Sequence, residues 1–301
     1  MAKAKKNKDK LVFYICVAAF PVLQFVVFYL VVNFRSFLLA FQRYDIFKGY
    51  SFSASNYPEI FKSMFGGELS SAFKNSFYAY LTGLFFGTGL SVLFSNYIYK
   101  KRFAHGVFRI VLFLPQILSV VVLSLVYKFI LDQGVPIIAE KLFGKSIRPV
   151  LADKDTQFLY MLIFTTWSGF GVSVLTYTSA MSSISVEIVE SAQLDGVTPI
   201  KEFAFITFPL IYPTFVTYMV VCVAGFFTNQ ASLFTFYGDS VPSGNQTIGY
   251  FLYAKTAVAS DKMDYDSYTY LSAFGFILTL IEVPLTFIVK NLLEKVGPSV
   301  E

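Results

Sequence analysis

Long apolar runs alternate with shorter polar segments along this chain. Met1 to Lys10 carries five lysines and one aspartate, and Leu11 to Asn33 then runs for 23 residues without a charge. Further apolar runs follow as far as residue 289. A helix needs about 20 apolar residues to cross a bilayer. The pattern therefore predicts an all-α, polytopic membrane protein, one transmembrane domain over 1–301. Its six spans are expected at about 11–33, 75–99, 110–131, 157–182, 206–228 and 267–289. The first run exceeds the apolar core of a secretory signal, about 7–15 residues, and reads as an uncleaved span.

The connections carry their own signals. Arg35 to Ala72, Asp132 to Thr156 and Asn229 to Asp266 read as outer loops, with turns at Ser55-Asn56-Tyr57-Pro58, Gly134-Val135-Pro136 and Pro242-Ser243-Gly244. Pro115 is expected to kink the third span. Gly83-x-x-x-Gly87 reads as a close helix-packing stripe. Asn245-Gln246-Thr247 matches a glycosylation sequon, which a bacterial protein would usually leave unmodified.

Residues 183–205 form the one polar helical insertion between two long apolar runs. Gly196 suits the left-handed residue that closes a helix, and Thr198-Pro199 suits an N-cap and first helical position. The segment is predicted to be a helix-turn-helix at the membrane surface. Placing it and both termini inside divides Lys and Arg evenly, 12 on each side when Lys128, near the outer end of the third span, is counted outside. The inside segments are about half as long, and the bias counts most beside span ends, where residues 1–10 and 100–109 dominate. A multi-pass protein of the bacterial cell membrane, both termini cytoplasmic, is the expectation.

Composition agrees with the hydrophobic pattern. Hydrophobic residues make up 55% and charged ones 14%, against about 25% charged in a soluble domain. Mean hydropathy is +0.61. The 36 Phe and 20 Tyr suit interfacial belts and lipid-facing surface. Cys16 and Cys222 both fall in apolar runs, so neither a disulfide nor a metal site is expected. His105, the only histidine, lies in a basic loop and reads as solvated. The basic pI arises at membrane flanks, so no nucleic-acid partner is inferred. No Gly-x-x-x-x-Gly-Lys-[Ser/Thr] loop, His-Glu-x-x-His helix or Gly-x-Ser-x-Gly elbow occurs. The chain is read as no enzyme, and an ATP-driven process would need its ATPase on another polypeptide.

The polar insertion carries a more specific pattern. Glu190-Ser191-Ala192, then Asp195-Gly196-Val197, Phe203, Ile206 and Pro209-Leu210 resemble the EAA loop of bacterial ABC importer permeases. Ser191 and Val197 depart from the alanines usual there. Weaker matches are Ser55-Asn56-Tyr57, Leu114-Pro115 and Trp167-Ser168-Gly169. The likeness is strongest to the carbohydrate-uptake class, in its maltose-type first permease. The resemblance implies a second homologous permease, two ATP-binding cassette subunits that hold ATP and Mg, and an extracellular or lipid-anchored substrate-binding protein. No cofactor is implied in this chain. Glu190, Ser191, Ala192, Leu194, Asp195 and Gly196 would form the coupling to the ATPase, with Ala192 and Leu194 packed on that partner.

Polar groups at mid-depth are costly against lipid and usually face protein or a water-filled path. Thr165, Thr166, Trp167 and Gly169, with Gly225, Thr228 and Asn229, are the candidate substrate path for a carbohydrate, most simply an oligosaccharide. Aromatic faces, hydroxyls and amides suit sugars. Glu282 is the acid inside the sixth run. It reads as structural, near the inner face and paired with a partner subunit; in the alternative it is the titrating group of a proton-coupled secondary carrier.

Overall fold

The computed structural model describes residues 2–153 and 156–298. They form two compact units, Met1–Lys62 with Lys255–Leu278, and Ser63–Ala254 with Thr279–Glu301. In chain order the elements are α1 (Phe13–Ala40, the apolar part of a longer helix), β1 (Gln42–Asp45), β2 (Gly49–Phe52), α2 (Asn56–Phe65), α3 (Leu69–Tyr99), α4 (His105–Ile117), α5 (Val120–Phe143), α6 (Gln157–Ser182), α7 (Val186–Leu194), α8 (Pro199–Ala224), α9 (Leu233–Tyr237), α10 (Ile248–Lys262) and α11 (Tyr265–Val296). Six of these, α1, α3, α5, α6, α8 and α11, are long and apolar enough to cross a membrane. The fold is helical apart from one hairpin, among the described residues.

In the first unit, the most apolar window of α1 buries none of its residues, as a lipid-facing helix would. The stretch expected as a loop after it instead contains the antiparallel β1–β2 hairpin, in register Gln42↔Phe52. Asp45 Oδ1 accepts hydrogen bonds from the backbone N–H of Phe47 (2.8 Å) and Lys48 (3.0 Å), closing an Asx-type turn. The Tyr44 and Tyr50 rings pair across the strands at 5.1 Å. Asn56 is buried; its amide donates to Gln42 O (3.2 Å) and to Thr269 Oγ1 of α11 (3.4 Å). Its place in a turn signal is thus also a place in the core.

The second unit is built around α6. On one side, Ser91 and Ser173 hydroxyls lie 2.9 Å apart, and Ser95 Oγ donates to Val174 O at 2.9 Å, so small polar residues join α3 to α6. On another, Gly171 allows α4 to approach. A methyl there would meet Phe113 Cδ2 at 3.2 Å and Leu112 O at 3.3 Å. Gln116 Nε2 donates to Ser168 O beside it. Met161, Phe164, Leu233, Phe236 and Tyr250 form the larger apolar cluster.

Three expected connections differ. The third run does not make one kinked helix over 110–131: α4 ends at Ile117, Leu118 is extended (φ −85°, ψ 150°), and Ser119 starts α5. Pro115 already lacks the N–H that would hold that turn, and Gln116 is tied sideways to α6. The helix then continues through Gly134-Val135-Pro136 to Phe143, and Asp132 Oδ1 accepts from Leu151 N at 3.0 Å. The last outer loop contains α9 and α10. Thr247 of the sequon is fully buried, and its Oγ1 accepts from Tyr250 N at 3.2 Å, which makes it the cap of α10.

Candidate functional site

The polar insertion folds into α7, a tight turn and the start of α8. Val197 N donates to Ala192 O (3.1 Å) and Gly196 N to Gln193 O (3.0 Å), the paired bonds of a Schellman ending. That ending requires a left-handed residue, and Gly196 supplies it with φ +74°. Thr198 is extended (φ −69°, ψ 153°) and its carbonyl accepts from Glu202 N at 2.8 Å. Its hydroxyl makes no cap hydrogen bond, so Pro199, with its preset φ, carries the helix start.

Glu190, Ser191, Leu194, Asp195 and Gly196 are exposed, with Leu194 at 89%. Ile200 and Phe205 add further exposed apolar surface. Ala192, expected on the partner-facing surface, is 7% exposed and with Val189 is buried in this chain's own packing. Helical spacing separates them, since Leu194 lies two positions on and faces the other way.

α6 and α8, the helices on either side of this insertion, face α3 across an open recess of about 260 Å³. Thr165, Thr166, Gly169 and Ser173 line it from α6, and Tyr218, Val221 and Cys222 from α8. Asn229 follows α8 and closes one end, its Oδ1 accepting from Ala231 N at 2.8 Å. Thr165 Oγ1 donates to Ser232 Oγ at 3.1 Å, which ties α6 to the turn after α8. Tyr218 donates to Thr176 Oγ1 at 2.9 Å.

Of the candidate path residues, Thr165, Gly169 and Asn229 border the recess. Trp167 does not; its ring lies edge-on to Phe164 at 6.2 Å and packs on the larger apolar cluster. Gly225 ends α8, and exposed Thr228 bonds back to Gly225 O. Gly83, Gly87 and Thr88 of α3 complete the lining. The glycine pair does not act as a close-packing stripe: a methyl on Gly87 would meet nothing within 4 Å, and one on Gly83 only Cys222 Sγ at 3.8 Å. Both glycines hollow out the recess. They lie in a widened, π-helical stretch, Gly83–Gly89, a helix defect common at functional positions. Sequence spacing alone cannot distinguish a glycine that admits another helix from one that leaves space.

Glu282 is half-buried, and its Oε1 accepts from Phe227 N at 3.5 Å. The carboxylate thus meets one backbone N–H, that of Phe227, in the turn that leads from α8 to Asn229. That contact is within this chain.

Residues 79–301 match the family described as binding-protein-dependent transport system inner membrane component. The arabinooligosaccharides transport system permease protein AraP of Bacillus subtilis (strain 168) is 22% identical over 272 residues, 89% of this chain and 84% of that protein. The lactose transport system permease protein LacF of Rhizobium radiobacter is 26% identical over 193 residues, 63% of each chain. A crystal structure of a bacterial ABC transporter involved in the import of the acidic polysaccharide alginate is similar in fold. Its TM-score is 0.78 at 17% identity, covering 99% of this chain and 100% of that one. With three quarters of its length matched, this chain belongs to the family of inner membrane components of binding-protein-dependent transport systems.

Proposed function

We propose that this chain is the permease of an ATP-driven importer for a carbohydrate, most simply an oligosaccharide, and that α7 and its turn receive the motion of a separate ATPase. One juxtaposition carries the reading: the helices that wall the polar recess, α6 and α8, are the two that the exposed insertion joins. A rigid-body shift of α7 would tilt both walls together. Coupling of this kind needs a bundle with two arrangements that nucleotide and substrate both bias. The substrate class is supported by relatives named for arabinooligosaccharide and lactose transport and by the hydroxyls, amide and tyrosine of the recess.

The partners follow from what this chain lacks. Glu190, Asp195 and exposed Leu194 and Ile200 offer a mixed polar and apolar face that suits a soluble ATPase pair carrying ATP and Mg. The recess is open and smaller than the ~300 Å³ at the low end of ligand pockets, as suits one wall of a path completed by a second homologous permease. An extracellular or lipid-anchored binding protein would deliver the sugar. Both termini would then be cytoplasmic, on the side of α7. Within this arrangement Glu282 holds backbone at the end of α8, and the proton-coupled carrier reading has no support from its surroundings.

Uptake into proteoliposomes containing the chain, its partner subunits and external binding protein tests this. Labelled oligosaccharide should accumulate only with ATP on the α7 side, and a protonophore should leave uptake unchanged. Accumulation without nucleotide, or its loss on collapse of the proton gradient, would rule the reading out.

A further inference from the structure

Three helices wall the recess, but the chain joins the α7 insertion to only two of them. α3, which contributes Gly83, Gly87 and Thr88, is connected by a different link. Lys100, directly after α3, forms an ion pair with Glu202 in the first turn of α8. Glu202 is 3% exposed, and the lysine side chain 18%. Two further ion pairs, Arg43–Asp266 and Lys290–Glu294, have side chains about half exposed. Each partner of the buried pair sits at the helix end that favours its charge: a cation at the C-terminus of α3, a carboxylate near the N-terminus of α8.

The surroundings are apolar. Tyr99, Ile184, Phe203 and Phe208 pack on the neighbouring cluster of Val92, Tyr177, Met181 and Ile211, and Lys100 Nζ stands 5.2 Å from the Tyr99 ring centroid. Asn96 Oδ1, four residues before Lys100, and Thr207 Oγ1, five after Glu202, are buried with no hydrogen-bond partner. Among the described residues, the ion pair is therefore the polar tie between α3 and α8. A buried carboxylate is tolerated when a cation is held against it and is strongly disfavoured when that cation withdraws. The start of α8 cannot leave α3 without stranding Glu202.

We infer that the Lys100–Glu202 pair is a latch that makes α3 follow the coupling turn, so that the third wall of the recess moves with the other two. Both are positioning residues; neither touches the recess. The inference rests on the importer reading of α7 and adds a tie from the start of α8 to α3, beside the serine contacts that join α3 to α6.

Uptake and ATP hydrolysis measured on the same proteoliposomes of the complete transporter test it. Lys100→Met and Glu202→Gln should each lower sugar moved per ATP hydrolysed by roughly tenfold, the size of a typical coupling between sites, while hydrolysis persists. The reversed pair, Lys100→Glu with Glu202→Lys, should restore most of that ratio. Single variants with the wild-type ratio would overturn the latch. So would a parallel fall of uptake and hydrolysis that the reversed pair does not repair, because that marks a packing role. Absence of ATP-dependent uptake by the wild type would instead remove the importer reading beneath it.

Discussion

Gly249 illustrates how one residue sets the shape of the recess from outside it. A methyl at that position would stand 2.6 Å from Thr228 O and 3.0 Å from Asn229 O, both backbone atoms that cannot swing aside. The first turn of α10 is thus pressed against the turn that carries Asn229 to the end of the recess. Gly249→Ala should displace that turn and cost about 1–3 kcal/mol, the usual penalty for overpacking. Thermal unfolding in detergent should show the loss, and uptake should fall with it; an unchanged midpoint would mean that α10 yields instead. Gly249 carries no sequence signal, since it stands among apolar residues two places after a sequon. By contrast, Gly196 is legible from its neighbours, because an acidic-glycine pair before Thr-Pro is the chemistry of one helix ending and another starting.

At the scale of elements, the start of α11 offers a test outside the membrane-spanning segments. Asp264 accepts from Ser267 N at 3.1 Å and from Ser267 Oγ at 2.6 Å, a side-chain cap on the first turn. These hydrogen bonds hold its carboxyl below the ordinary aspartate range, with a small further lowering from Lys262 nearby. A group whose folded value is depressed stabilises the fold above its unfolded pKa, about 3.9, and loses that contribution as pH falls through the folded value. The unfolding midpoint should therefore be level near neutrality and decline below about pH 4. Asp264→Asn keeps an acceptor but cannot titrate, so it should flatten that acid limb. An identical acid profile in the variant would show that other carboxylates set it. The same capping logic converts Thr247 from a sequon residue into a helix start.

For the whole molecule, the question is whether the turn at Gly196 transmits motion or merely connects two helices. Gly196→Pro is a decisive substitution. Proline holds φ near −65°, whereas this residue needs +74° and donates its N–H to Gln193 O. The Schellman ending would be lost and α7 would separate from the start of α8. Transport should fall to background, while membrane insertion, judged by the amount and detergent stability of the protein in membranes, persists. Uptake near wild type would remove α7 as the coupling element. Space is not the obstacle, for nothing lies within 4 Å of a methyl there, so Gly196→Asn, which tolerates the left-handed region, should keep much of the activity.

The sequence by itself determined the membrane character, the number of long apolar helices and the helix-turn-helix between the fourth and fifth runs. Each of these is a local property: run length against bilayer thickness, and the backbone needs of a glycine and a proline. Tertiary structure decided which side chains share a space. It turned Trp167 into the apolar cluster and opened Gly83 and Gly87 onto the recess. It also buried Ala192 against its own chain and set Glu282 on the turn after α8. It brought Lys100 to Glu202 across about a hundred residues of intervening sequence. Periodicity identifies the faces of a helix, but which face meets a neighbour and which meets a hollow depends on how separate helices pack, and no residue spacing within one helix encodes that.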